Sequence, residues 1–250
     1  MNAQDLLPRP QVGDAFGMLL QECWNPTGPP HALDETVERD DGRTVVSDAR
    51  VYFAPYSDWT APEQTIVHLA RGDVLDVGCG GGRLAVEMQQ RGNRVYGIDS
   101  SPGAVRLCTS RGIDAAVASV PDLPLLHKPF DTIVMAGNGL GLLQDRETAP
   151  AILTALARTA REGASLLGTT IDHTAFVDDH DVRYRERNRE RGRLPGQWRI
   201  RISHRTVVTD WFDYLFLAPE ELEDLVAPTP WSLSDVHLDG AHYLAHLRLK

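Results

Sequence analysis

The stretch Val74-Leu75-Asp76-Val77-Gly78-Cys79-Gly80-Gly81-Gly82-Arg83-Leu84 decides how the chain is read. An apolar run crossed by one acid and ended by Gly78, Gly80, Gly81 and Gly82 is a buried strand that enters a turn and then a helix. Glycine is costly inside regular structure, because it has the most backbone freedom to lose. So many glycines in one turn call for close approach: without Cβ atoms, backbone N–H groups and the positive end of the following helix can meet a ligand. The stretch reads as a cofactor seat.

Outward from the seat, strand and helix alternate, as in a parallel sheet with crossover helices. Val74–Val77 is the first strand and Leu84–Gln90 its helix. Arg94 to Ile98 is the second strand, ending in Asp99, an acid placed to accept hydrogen bonds from both hydroxyls of a ribose. Its alternative role is a helix cap, although Ser100-Ser101-Pro102 could cap the next helix unaided. Asp114–Ala118, Phe130–Ala136 and Ser165–Ile171 continue the sheet, with a helix over Pro150–Arg161. Ser232–His237 and His242–Leu249, joined across Asp239-Gly240, read as a closing antiparallel pair.

A glycine-rich strand-to-helix turn also serves nicotinamide and flavin proteins, and the frame Gly80-x-Gly82-x-x-Ala85 leaves a nicotinamide reading open. Against it, Asp76 stands where such a turn has an apolar residue. The spacing of Asp76, Gly78, Gly80 and Gly82, followed by Asp99, resembles class I S-adenosylmethionine (SAM)-dependent methyltransferases, and the likeness covers roughly Thr65–Lys250. The resemblance implies an α/β fold with a Rossmann-like seven-stranded sheet and helices on both faces. To these it adds an N-terminal lid segment and a β-hairpin inserted before the last helix. It also implies SAM as cofactor and S-adenosylhomocysteine (SAH) as product. Asp76, Gly78, Cys79, Gly80, Gly82, Asp99, Ser100, Val120 and Asn138 are the expected cofactor contacts, Asp76 facing the cationic methionine end. In such proteins the adenine lies by Ser119–Pro124; Ser119 replaces the acid that many relatives carry, which leaves the backbone of Val120 or Asp122 to hold it. The chain also looks like a bacterial group of these methyltransferases whose substrates are mostly unassigned.

Ahead of the seat, Val12, Phe16, Leu19, Leu20 and Trp24 fall near one face of a helix over 12–24. Asp40-Asp41-Gly42 marks a hairpin turn between Thr36–Arg39 and Arg43–Val46. Four aromatics between Tyr52 and Trp59 are either core or a lid, and Tyr52, Tyr56 and Trp59 are expected acceptor contacts. Residues 1–64 therefore form a helix, hairpin and aromatic lid, and 65–250 the methyltransferase domain, with 173–218 an inserted cap.

Asn138, at the end of the fourth strand where donor meets acceptor, is a candidate contact in the reaction. The loop Gly137–Leu143 lacks the Asn/Asp-Pro-Pro-Tyr run of amino-methyltransferases acting on adenine or glutamine amides. His173, at the end of the fifth strand, is the candidate general base, with helix cap or core hydrogen bond as its alternative. Asp172 alone does not make a magnesium site, and no metal is expected. Arg183, Arg185, Arg187, Arg189, Arg191 and Arg193 occupy every second position with only Glu186 and Glu190 among them. That pattern matches neither one helical face nor i, i+4 pairing, and suggests either a solvated surface or, through Arg187 and Arg189, an anionic acceptor site. Gln197–Ser203 and Trp211–Phe216 read as the inserted hairpin.

The 250 residues carry a formal net charge of -10 with a pI near 5.3, which disfavours nucleic-acid partners. Cys23, Cys79 and Cys108 form no pair or cluster, consistent with a reducing cytoplasm. No apolar run approaches the roughly 20 residues that span a bilayer, so no membrane partner is expected. The leading function is methyl transfer to a small molecule; a peptide or protein methyltransferase and a non-catalytic SAM- or NAD-binding protein are the alternatives. Oligomeric state and the identity of the acceptor are not encoded in these patterns.

Overall fold

The computed structural model describes residues 10–120, 123 and 129–250. A short strand β1 (Gln11–Val12) precedes helix α1 (Ala15–Cys23), which starts at Ala15 because Asp14 caps it, accepting from the Gly17 amide at 2.9 Å. Strands β2 (Asp34–Arg39) and β3 (Thr44–Asp48) form the expected hairpin, with Gly42 at the tip in the left-handed region, φ 87°. Two 3₁₀ turns through Ala49–Phe53 and Tyr56–Asp58 carry the aromatic segment to α2 (Ala61–Leu69), which opens with a reciprocal cap between Thr60 and Glu63.

From there the alternation holds. It runs β4 (Asp73–Val77), α3 (Arg83–Gln90), β5 (Arg94–Asp99), α4 (Pro102–Ser110), β6 (Asp114–Val117), β7 (Phe130–Met135), α5 (Ala149–Ala157) and β8 (Ala160–Ile171). After β8 come α6 (Asp179–Glu190), β9 (Gln197–His204), β10 (Val207–Val208), β11 (Phe212–Leu215), α7 (Pro219–Val226), β12 (Trp231–Asp239) and β13 (His242–Leu249). The main sheet has the order β6-β5-β4-β7-β8-β13-β12, parallel except at β13, which runs antiparallel to both its neighbours. This is the expected seven-stranded sheet. The chain leaves β4 toward β5 and β6, then returns to β7 on its other side. Strand order thus reverses at β4, which opens a crevice at the strands' carboxyl ends.

The period-two alternation of each strand feeds two cores. Leu75, Ile133, Met135, Leu166 and Tyr243 face α5 and α7, whereas Val74, Val134, Leu167 and Leu244 face α2 and α3. Each fully buried aliphatic side chain of this kind contributes about 1.5–3 kcal/mol.

A second sheet, antiparallel except where short β1 runs parallel to β10, has β9 at its centre. β9 pairs with β2 along one edge and with β10 and β11 along the other; β3 and β1 extend the two sides. The N-terminal hairpin and the inserted hairpin, separate pieces in the sequence reading, are therefore halves of one cap sheet. A two-stranded hairpin is marginal alone; pairing the two gives each a buried face. The arginine run, for which no helix was expected, forms α6. Asp178 caps it at the Asp181 amide, 2.9 Å away; Asp179 and Asp181 lie in the first turn and Arg187 and Arg189 in the last, each sign suited to the helix dipole. Its buried positions are Asp181, Tyr184 and Asn188, at helical spacing but mostly polar. Buried Arg39 docks the helix: it is stacked 4.1 Å from the Tyr184 ring and 4.5 Å from Trp198, and paired with Asp41 and Asp181 at 2.9 and 2.6 Å.

Candidate active site

The glycine turn sets the floor of the crevice. Gly78, Gly80 and Gly82 have φ of 74°, 53° and 77°, a conformation that costs other L-residues about 1–2 kcal/mol each. The amides of Gly78 and Cys79 both donate to the Ile98 carbonyl at 2.8 and 3.0 Å, tying the turn to β5. Asp99 completes the tie: one carboxylate oxygen accepts from the Gly80 amide at 2.9 Å and the other from the Ser101 amide at 2.8 Å. Burial raises the Asp99 pKa, opposed by these backbone bonds. Asp76 is 3% exposed, and burial, reinforced by the charge of Asp99 and opposed by Arg83, pushes its pKa up to about 7. Arg83 itself is ion-paired with Glu63 and stacked 4.7 Å from the Trp59 ring. The Cys79 thiol is pushed up by its hydrogen bond with Cys108 and by burial.

Above this floor the cap sheet roofs a cleft of about 940 Å³. Asp76, Gly78, Cys79, Gly80, Asp99, Ser100 and Val120 line one end, so the structure brings together seven of the nine residues expected at the cofactor. Gly82 stands outside the lining. It begins α3, and a Cβ there would lie 2.9 Å from the Cys108 sulfur, so its glycine serves packing. Asp122 lies outside the described residues. The other end is lined from the cap by Glu35, Tyr52, Trp198, Ile202, Phe212 and Tyr214.

Tyr52 alone of the expected acceptor contacts reaches the cleft. Trp59 is buried in the core beside α2, its indole donating to the Ala54 carbonyl at 2.8 Å, and Tyr56 bonds His68 at 2.9 Å on the outer side of that helix. Arg187 and Arg189 lie on the exposed side of α6; Arg187 pairs with Asp41 at 3.1 Å, so neither meets the cleft. Asn138 is turned the other way: its side-chain oxygen accepts from the Ile171 amide at 2.9 Å, so it braces the end of β8. His173 is 2% exposed and its Nε2 bonds Glu221 at 2.9 Å, tying the end of β8 to α7. The core hydrogen bond weighed for it from the sequence is the role the structure gives it.

The sequence reading missed Glu35 and the aromatic residues of β9 and β11. Their signal was period two: Glu35, Val37 and Arg39 share one face of β2, as do Trp198, Ile200 and Ile202 of β9. Tyr214 couples cap to floor. Its hydroxyl donates to the Asn138 carbonyl at 2.9 Å, and a Cβ on Gly141 would lie 2.5 Å from its ring. The β7–α5 loop it covers holds two non-glycine residues with positive φ, Asn138 at 62° and Gln144 at 68°. Such strain gathers at ligand sites.

Residues 74–163 match the family model of a methyltransferase domain. The fold matches a SAM-dependent methyltransferase of Bacteroides fragilis, solved with SAH, at a TM-score of 0.80 and 24% identity over 98% of this chain and 97% of that one. Residues 74–163 thus match a methyltransferase domain, and the chain as a whole has the fold of that SAM-dependent methyltransferase. A methyltransferase of Methanosarcina mazei is similar over 71% of this chain and 92% of its own, with a TM-score of 0.59 and 18% identity. Among curated relatives, ubiquinone biosynthesis O-methyltransferases of Xanthomonas oryzae and Xanthomonas euvesicatoria are 33% and 28% identical. They match 42% and 64% of this chain, which spans 46% and 61% of their own lengths. For the first, the chain spans about half the relative.

Proposed function

We propose that this chain transfers a methyl group from SAM to a small-molecule acceptor held beneath the cap sheet. The observation that carries the proposal is Asp76: a carboxylate 3% exposed in the lining of the cleft, for which Arg83, already paired with Glu63, is the nearest compensation. A ligand with a cationic end supplies what that site lacks. The other donors and acceptors fit the same ligand. Asp99 stands at the end of β5 with Ser100 beside it, where an acid meets ribose hydroxyls, and the left-handed Gly80 keeps backbone rather than a side chain against the ligand. Val120 offers backbone and an apolar wall for the adenine.

SAM supplies a methyl group on a sulfonium sulfur. The chain's own residues bind and orient: Asp76 and Asp99 fix the two ends of the donor's seat, and the cap sheet holds the acceptor against it and excludes water. Holding two reactants in line supplies much of the rate in a displacement of this kind. Arg83 is the basic side chain in the described lining, set against Asp14, Glu35, Asp76, Asp99, Asp210 and Asp213. Nothing in that balance favours the anionic acceptor that the arginine run suggested.

The test is incubation with SAM and mixtures of small-molecule acceptors, reading SAH release and methylated products by mass spectrometry. Acceptor-dependent SAH release is expected, falling by about tenfold or more at subsaturating SAM in a folded Asp99→Ala variant, because charge-assisted hydrogen bonds are lost. Turnover unchanged in that variant would contradict the assignment of Asp99.

A further inference from the structure

Glu35 is a carboxylate on a face where apolar and aromatic side chains are expected. It is 7% exposed and lines the cleft with Val37 of its own strand and Val45 of β3. The Tyr52 hydroxyl donates to both of its oxygens at 2.9 Å, and Ser47, opposite it in the β2–β3 register, donates at 3.2 Å. Among the described residues no cation pairs with it. Arg39, on the same face of β2, is taken by Asp41 and Asp181, and Arg83 by Glu63. Hydroxyl donors hold the charge in place, but they do not neutralise it. A glutamine would keep the shape at lower cost, since a buried carboxylate without a cation is expensive.

Its place in the cleft points the same way. Burial raises the pKa of the Tyr52 and Tyr214 hydroxyls, and the charge of Glu35 raises both further. Tyr214 in turn bonds the Asn138 carbonyl, in the loop at the carboxyl end of β7. Glu35 thus belongs to the roof above the strand ends, whereas Asp76 and Asp99 belong to the floor. Aromatic rings line the same cleft: Tyr52, which bonds Glu35, has Phe16 edge-on at 5.3 Å, and Tyr214 has Phe212 edge-on at 6.2 Å. An unpaired carboxylate in a cleft lined by aromatic rings is suited to a cation.

Given the methyltransferase reading above, on which this rests, we propose that Glu35 recognises the acceptor, and that the acceptor is an amine bound as its ammonium on an aromatic or apolar body. An ammonium N–H meets the carboxylate, the rings of Phe16, Tyr52, Phe212 and Tyr214 pack the body, and the charge buried on β2 is compensated only when acceptor is present. Moving one N–H proton to Glu35 leaves a neutral amine, with its lone pair free, and a neutral carboxyl group.

Three probes sharing one phenol ring test this by calorimetry on SAH-saturated protein: tyramine, 4-ethylphenol and 3-(4-hydroxyphenyl)propanoate. On wild type, tyramine is expected to bind most tightly and the propanoate least. In Glu35→Gln, tyramine is expected to weaken by about tenfold or more, with the other two probes and SAH itself unchanged. Tyramine binding no tighter than 4-ethylphenol, or indifferent to Glu35→Gln, overturns the proposal. A fall in SAH affinity in the folded variant overturns it too, since Glu35 then reads the donor. If Glu35→Gln does not fold, the order of the three probes on wild type still decides the charge class. Failure of wild type to bind SAH is a different result, and removes the methyltransferase reading instead.

Discussion

The group whose ionisation matters most to the cleft is Asp76, its pKa pushed up to about 7 by burial and by the charge of Asp99. The folded state holds a proton there that an unfolded aspartic acid releases near pH 4. This contribution to stability is therefore full below that value and is lost as pH rises through about 7. The stability of wild type relative to Asp76→Asn should fall between pH 5 and pH 8, read by denaturant midpoints; a constant difference would contradict the burial of an ionisable group. SAM affinity should run the other way. A cationic donor end needs the carboxylate, so affinity in wild type should weaken by up to about tenfold per pH unit below 7 and stay flat in Asp76→Asn. At this scale the sequence located the cleft where a motif fixes backbone and side chain together: Asp76, Gly80 and Asp99 all line it. It failed where topology alone chose the residue. Asn138 and His173 do stand at strand ends, but the free amide of Ile171 and the carboxylate of Glu221 claim their side chains. No spacing in the chain announces those partners.

Among the elements, α6 and the cap sheet depend on one buried cation. Arg39→Ala leaves buried Asp181 with Arg43 alone, at 3.4 Å in place of the 2.6 Å pair, and removes the stack on Tyr184 and Trp198. Breaking such a pair from one side should cost about 3–5 kcal/mol in urea unfolding. Arg187→Ala should cost no more than about 1 kcal/mol, since that pair with Asp41 is solvent-screened. Equal losses in the two variants would mean that α6 is held by its surface arginines. The helix escaped the sequence reading because its buried stripe is Asp181, Tyr184 and Asn188, which no hydrophobic period detects. Asn188 earns its place by donating to the carbonyls of Pro195 and Gln197 at 3.0 and 2.7 Å, turning the chain into β9. By contrast, the strands of the main sheet were visible in apolar alternation or an apolar run, most plainly central β4, which is buried along its whole length.

The described residues form two sheets closing on one cleft, a mostly parallel one that carries the glycine turn and a mostly antiparallel one that roofs it. The first was readable from local pattern. The second was not, because β2 meets β9 only in three dimensions: the register Thr36↔Ser203 joins the two ends of the chain, and nothing local encodes it. The likeness to the Bacteroides fragilis structure extends over 98% of this chain, so the roof belongs to the shared fold as much as the seat does. Among the described residues no helix is long and apolar enough to cross a membrane. The chain's net charge of -10 and the acidic cleft agree in sign, which favours uptake of a cationic donor. The most direct measurement is a calorimetric titration of the purified chain with SAM, with NAD titrated in parallel. One SAM bound per chain, with NAD weaker by about a hundredfold or more, is the expected result; no heat of binding with SAM, or NAD binding as tightly, would contradict the seat assigned to Asp76, Gly80 and Asp99.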